Sequence, residues 1–128
     1  VFAACFNHLS LHVSNLEKSK DFYGNILGMK EIERPNFPYN GAWYDMGYGL
    51  SLHLIEGKNY ETQAGSRGNH FAFETENVQE LENELKHKGV EIVSNKIRVD
   101  GIRQLFVKDP DGYFVEFNEA KKLSSTQS

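Results

Sequence analysis

Residues 6–13, Phe-Asn-His-Leu-Ser-Leu-His-Val, alternate apolar and polar positions, the period of a strand with one face toward a core. Leu9, Leu11 and Val13 fall on one side, and His8, Ser10 and His12 on the other. The period then lengthens. Leu16, Ser19, Phe22, Tyr23, Ile26 and Leu27 recur at helical spacing. Residues 14–17 match a capping box, with Asn15 as a competing cap, and Gly28 is placed to end the helix. Residues 29–33 read as a strand and 34–41, with two prolines and two asparagines, as a loop. Two further strands are predicted at 42–46 and 50–55, joined through Gly47-Tyr48-Gly49. The order is β-α-β-β-β.

After a polar, glycine-containing linker over 56–68, the pattern restarts. Residues 69–73 alternate again, with Phe71 and Phe73 opposite His70 and Ala72. Asn77 caps a second helix whose apolar stripe is Val78, Leu81 and Leu85 and whose end is Gly89. Residues 90–93, 103–107 and 113–118 read as strands, while 95–99 fits a strand or a loop equally. The numbering repeats: Asn7-His8 returns as Asn69-His70, Asn15 as Asn77, Gly28 as Gly89, Gly49 as Gly112, and His53 as Glu116. A single repeat of this length predicts two similar half-modules, about 6–57 and 68–119, within one domain spanning 1–128. Each half-sheet has an apolar face for its helix and a polar face left over. Asp109-Pro110-Asp111-Gly112 is the sharpest turn signal, and the strand after it contains Glu116.

Composition narrows the partners. The chain has 128 residues, 39% hydrophobic and 25% charged, as in an ordinary globular protein. A net charge of −4 argues against nucleic acid or an anionic membrane as the main partner. No apolar run is long enough to span a bilayer. The single cysteine, Cys5, cannot form an intrachain disulfide, which fits a reducing, cytoplasmic compartment. Its apolar surroundings over 1–6 predict packing rather than catalysis. The chain opens without methionine, too briefly for a signal peptide, which suggests that the natural start is missing. Residues 121–128 are polar and predict a frayed end.

His8 and His70 open the first strands of the two halves, and His53 and Glu116 sit late in their last strands. A lone histidine in a strand is usually a hydrogen-bonded structural residue. Three histidines and a glutamate at repeat-equivalent positions are instead a donor set for one divalent ion, Zn, Ni, Fe or Mn. Such an ion retains positions for substrate and acts as a Lewis acid. His12 shares the His8 face and either lines the pocket or packs. Arg103 either meets a substrate anion or faces solvent. Of Trp43 and Tyr44, only one can face the pocket, and Trp43 is taken as the candidate. Phe37, Tyr39 and Tyr48, in loops, suit a lid or a subunit contact. His87 reads as a solvated helix end.

His8-Leu-Ser-Leu-His-Val, the helix end Phe22-Tyr23-Gly24-Asn25-Ile26-Leu27-Gly28, Asn69-His70-Phe-Ala-Phe and Asp109-Pro-Asp-Gly-Tyr-Phe-Val-Glu116 together resemble the vicinal oxygen chelate superfamily, most closely its glyoxalase I-like members. The resemblance covers about residues 6–119. It implies an α+β fold of two βαβββ modules whose curved mixed sheets surround a central metal pocket, with His8, His53, His70 and Glu116 as ligands. It also implies a homodimer and a small-molecule substrate.

The activity implied is that of a lactoylglutathione lyase-type lyase or isomerase stabilising a metal-bound enolate, with Glu116 as the catalytic base. Alternatives within the same fold are a non-haem Fe(II) extradiol-type dioxygenase using His8, His70 and Glu116, and a non-catalytic small-molecule-binding or resistance protein. A fosfomycin-type thiol transferase ranks lower, because residues 95–101 are not rich in serine and lysine. The chain departs from glyoxalase I in three places. It has His53 where a glutamate is usual, and His12 and Gly57 where arginine and asparagine hold glutathione.

Overall fold

The strands of the first half close into one mixed sheet. The computed structural model describes residues 2–121. In it, β1 (His8–Val13), β2 (Glu31–Ile32), β3 (Gly41–Gly47) and β4 (Leu50–Glu56) lie in the order β1-β4-β3-β2. β1 and β4 are parallel, and the other neighbours antiparallel. Alternation assigns the faces. Leu11, Val13, Ala42, Tyr44, Leu52 and Leu54 are buried toward the helix, each large aliphatic side chain contributing roughly 1.5–3 kcal/mol. His8, Ser10, Trp43, Ser51 and His53 occupy the opposite face.

The first helix differs from its sequence pattern. It begins as α1 (Leu16–Lys20), and from Asp21 to Ile26 it widens into a π-helical turn. The wider turn sends the successive residues Phe22 and Tyr23 into the core together, edge to face at 4.9 Å. Gly24 permits this, because a Cβ there would stand 3.2 Å from the Tyr44 ring. The cap is Asn15 rather than Ser14: its side chain accepts from the Lys18 amide at 3.1 Å. The strand expected over 29–33 is confined to Glu31–Ile32. Cys5, expected to pack, is exposed, as are Phe2 and Phe6.

The second half repeats the plan. β5 (His70–Thr75), β6 (Ile92–Ile97), β7 (Arg103–Lys108) and β8 (Phe114–Glu119) lie in the order β5-β8-β7-β6, with β5 and β8 parallel. Strand β6 reaches Ile97, so the first three residues of 95–99 are strand and not loop. The helix α2 (Val78–His87) is regular, capped by Asn77 on the Glu80 amide, and covers Leu105, Val107, Val115 and Phe117. His87 is exposed at its end.

The chain divides between Glu61 and Thr62 into two compact units, one sheet in each. No helix among the described residues is long and apolar enough to cross a membrane. The frayed end expected over 121–128 lies, beyond Lys121, outside the described residues.

Candidate functional site

In the first unit, register places His8 opposite Ser51, and Ser10 and Trp43 on either side of His53. The result is a stack of three rings. Trp43 covers one face of His53 at 3.9 Å and 1°, and His8 covers the other at 4.2 Å and 13°. Trp43 is thus the member of the Trp-Tyr pair on this face, and Tyr44 is in the core, its hydroxyl pushed up to about 12 chiefly by burial. His53 Nε2 shares a 2.9 Å hydrogen bond with Ser51 Oγ. Burial first, then His8 and Arg34, hold the His53 pKa below its ordinary value, which favours the neutral imidazole. His8 Nδ1 donates to Asn7 Oδ1 at 2.7 Å, which leaves its Nε2 lone pair as the donor. His12 lies further along β1, bonded to the Tyr60 hydroxyl at 3.0 Å.

In the second unit, Glu116 on β8 faces Ala72 on β5 and Phe106 on β7. It is 4% exposed, a depth at which a carboxylate needs partners. It has two. Gln104 donates to Oε2 at 3.1 Å, and His70 Nε2 stands 3.0 Å from Oε1. His70 Nδ1 points at the Gly65 and Gly68 carbonyl oxygens at 3.2 and 3.1 Å, so that nitrogen carries the proton. A neutral His70 then aims a lone pair at a carboxylate, and a proton or a cation has to separate them. Arg98 grips Asp100 through two bonds of 2.7 and 2.6 Å and holds its carboxyl down at about 2.

Gln104, and not its neighbour Arg103, is the partner of Glu116 on this strand. Arg103 alternates to the other face of β7, where it donates to Asn95 at 2.9 Å. Period two, counted from the strand paired with Glu116, is the signal that singles out Gln104.

These donors can be tested against a divalent ion. Two ligand atoms about 2.0–2.2 Å from one ion and near a right angle stand about 3 Å apart, which is the separation of His70 Nε2 and Glu116 Oε1. That pair fits. The His8–His53 pair fits through one ring at a time: nearly parallel planes share no in-plane point, so for both to serve one ion a ring must turn. Among the described residues no group of three or more such donors is assembled.

Residues 6–117 match the Glyoxalase/Bleomycin resistance protein/Dioxygenase superfamily. The chain belongs to that superfamily. It is 34% identical to the lactoylglutathione lyase of Neisseria meningitidis serogroup A, over 89% of each chain. It is 32% identical to Glyoxylase I 4 of Arabidopsis thaliana, over 91% of this chain and 71% of that protein. Among solved structures, a mutant of the fosfomycin resistance protein FosX from Listeria monocytogenes, complexed with Mn(II) and 1S,2S-dihydroxypropylphosphonic acid, is similar with a TM-score of 0.78. Its identity is 26%, over 92% of this chain and 93% of that one. The two four-stranded mixed sheets are those of the glyoxalase or vicinal oxygen chelate fold.

Proposed function

We propose that this protein is a metal-dependent, glyoxalase I-like lyase or isomerase acting on a small oxygenated substrate. The observation that carries the reading is the His70–Glu116 pair, a buried carboxylate with an imidazole nitrogen 3.0 Å from it. The likeness to lactoylglutathione lyases supports the reaction class.

The donors would be His8, His70 and Glu116, with His53 joining if its ring turns away from the stack. A divalent ion held there supplies Lewis-acid stabilisation of negative charge developing on a substrate oxygen. Asn7 and the Gly65 and Gly68 carbonyls fix the tautomers that present Nε2 of His8 and His70. Gln104 anchors Oε2 of Glu116, and Oε1, the oxygen facing His70, would leave the ion to take a proton from a carbon next to a carbonyl.

The reading assigns these donors to one divalent ion. It takes the chain as a cytoplasmic homodimer, which sedimentation tests. Metal analysis of the purified protein, followed by a hemithioacetal assay with methylglyoxal and glutathione, tests the rest. Protein unable to take up any divalent ion sinks the proposal. Metal-loaded protein inert toward hemithioacetals sinks the lyase reaction.

The stacked His53 favours a second reading. With His53 held by Trp43, His8 and Ser51, the remaining two histidines and one carboxylate match the donor set of Fe(II) oxygenases. Ring cleavage of a catechol by iron-loaded protein would select it.

A further inference from the structure

The loop over 34–41 does more than connect β2 to β3. Arg34 folds back across it, donating from Nη2 to the Tyr39 carbonyl at 2.7 Å. Its guanidinium lies 5.1 Å from the centroids of both Phe37 and Tyr39, which are themselves parallel at 5.2 Å and 9°. Gly41 makes room for it: a Cβ there would stand 3.0 Å from Arg34 Nε and 3.1 Å from Nη2, and 2.5 Å from the Leu54 carbonyl oxygen. Gly41 is two residues before Trp43 on β3 and therefore on the same face as Trp43 and His53. The Phe37 ring, over which the guanidinium lies, is 6.3 Å from the Trp43 ring.

The guanidinium is thus fixed beside the ring stack, half-buried, and no carboxylate pairs with it among the described residues. Aromatic rings hold a guanidinium without neutralising it. Of its five N–H bonds, those not turned to Tyr39 form a planar fork suited to an oxyanion. Pro35 and Pro38 stiffen the loop, so the fork is placed before any ligand arrives.

We propose that Arg34 is a specificity-determining residue that holds an oxyanion, carboxylate or phosphonate, of the molecule bound at the first unit's polar face. The proposal deepens the reading above and rests on it for the location of substrate. The sole tryptophan, Trp43, reports binding, since it stacks on His53 and lies 6.3 Å from the Phe37 ring.

The test titrates wild type, Arg34→Gln and Arg34→Lys with three probes followed by Trp43 fluorescence: S-methylglutathione, its dimethyl ester and methylphosphonate. Loss of the charge-assisted bonds in Arg34→Gln should weaken the anionic probes about tenfold to a hundredfold and leave the ester unchanged. Arg34→Lys, which keeps the charge and loses the fork, should fall between. Tight binding by S-methylglutathione alone identifies a carboxylate, and by methylphosphonate alone a phosphonate. Three results overturn the proposal: anions that bind Arg34→Gln as tightly as wild type, an ester that weakens as much as the acid, or anionic probes that fail to bind wild type. Hemithioacetal turnover is measured separately. Inert protein that still binds anions through Arg34 loses only the lyase reading, and active protein whose KM ignores Arg34→Gln loses only this proposal.

Discussion

The two units share a strand order and a helix position, yet their polar faces carry different chemistry. The first offers rings in a stack, His8 on His53 on Trp43, with a guanidinium beside them. The second offers a buried carboxylate held by an imidazole and an amide. The substitution of glutamate for histidine at equivalent places, His53 and Glu116, accounts for much of this. A neutral ring is satisfied by stacking and one hydroxyl. A carboxylate as deeply buried as Glu116 needs a positive or hydrogen-bearing partner for each oxygen. One repeated scaffold therefore carries two chemically different polar faces.

The largest effect should come from breaking the second face. Glu116→Gln should lower hemithioacetal turnover by on the order of a hundredfold to ten-thousandfold, the usual worth of a general base. His53→Gln, in the equivalent place, should cost far less. Equal losses in steady-state kcat would end the functional asymmetry.

The apolar faces should behave alike. Leu52→Ala and Leu105→Ala each empty a fully buried site, one per unit, and each should cost about 2–5 kcal/mol in urea unfolding. A near-neutral result in one unit would mean that its core collapses to fill the gap. Smaller still are the caps. Asn77→Ala and Asn15→Ala should each cost about 1 kcal/mol, because each removes the acceptor for one helix-end amide. An unmeasurable loss at Asn15 alone would show that the five-residue α1 depends on the π-helical turn after it instead of its cap.

The smallest expected effect concerns pH, in metal-free protein. Burial, His8 and Arg34 hold His53 below its ordinary value of 6.5. The unfolded chain then takes up the proton first. Its contribution to stability is complete above the ordinary value and is lost as pH falls through it toward the folded one. Thermal melts should show a shallower decline below the ordinary histidine range in His53→Gln than in wild type. The same decline in both proteins would show that the stack does not oppose protonation.

The order of the strands, the second helix and the equivalence of His8 with His70 and of His53 with Glu116 were legible in the sequence. Period two and the offset of 61–63 residues need only local pattern and repetition. The first helix departs from its apolar pattern where it widens: spacing does not register a π turn made for two adjacent aromatics and admitted by Gly24 beneath Tyr44. Cys5 is exposed despite its apolar neighbours, because they do not guarantee a surface to pack against.

What the sequence determined by itself, then, was the periodic order of elements and the residue types that can bind a metal, since both are properties of local spacing and chemistry. Only the tertiary structure decided which atoms those residues present. Cross-strand register chose Gln104 over Arg103 as the neighbour of Glu116. Ring packing turned His53 flat against His8. A loop closing on Gly41 brought Arg34 to the His53 side of its sheet. Each depends on distances of a few ångströms between residues far apart in the chain, which no local period encodes.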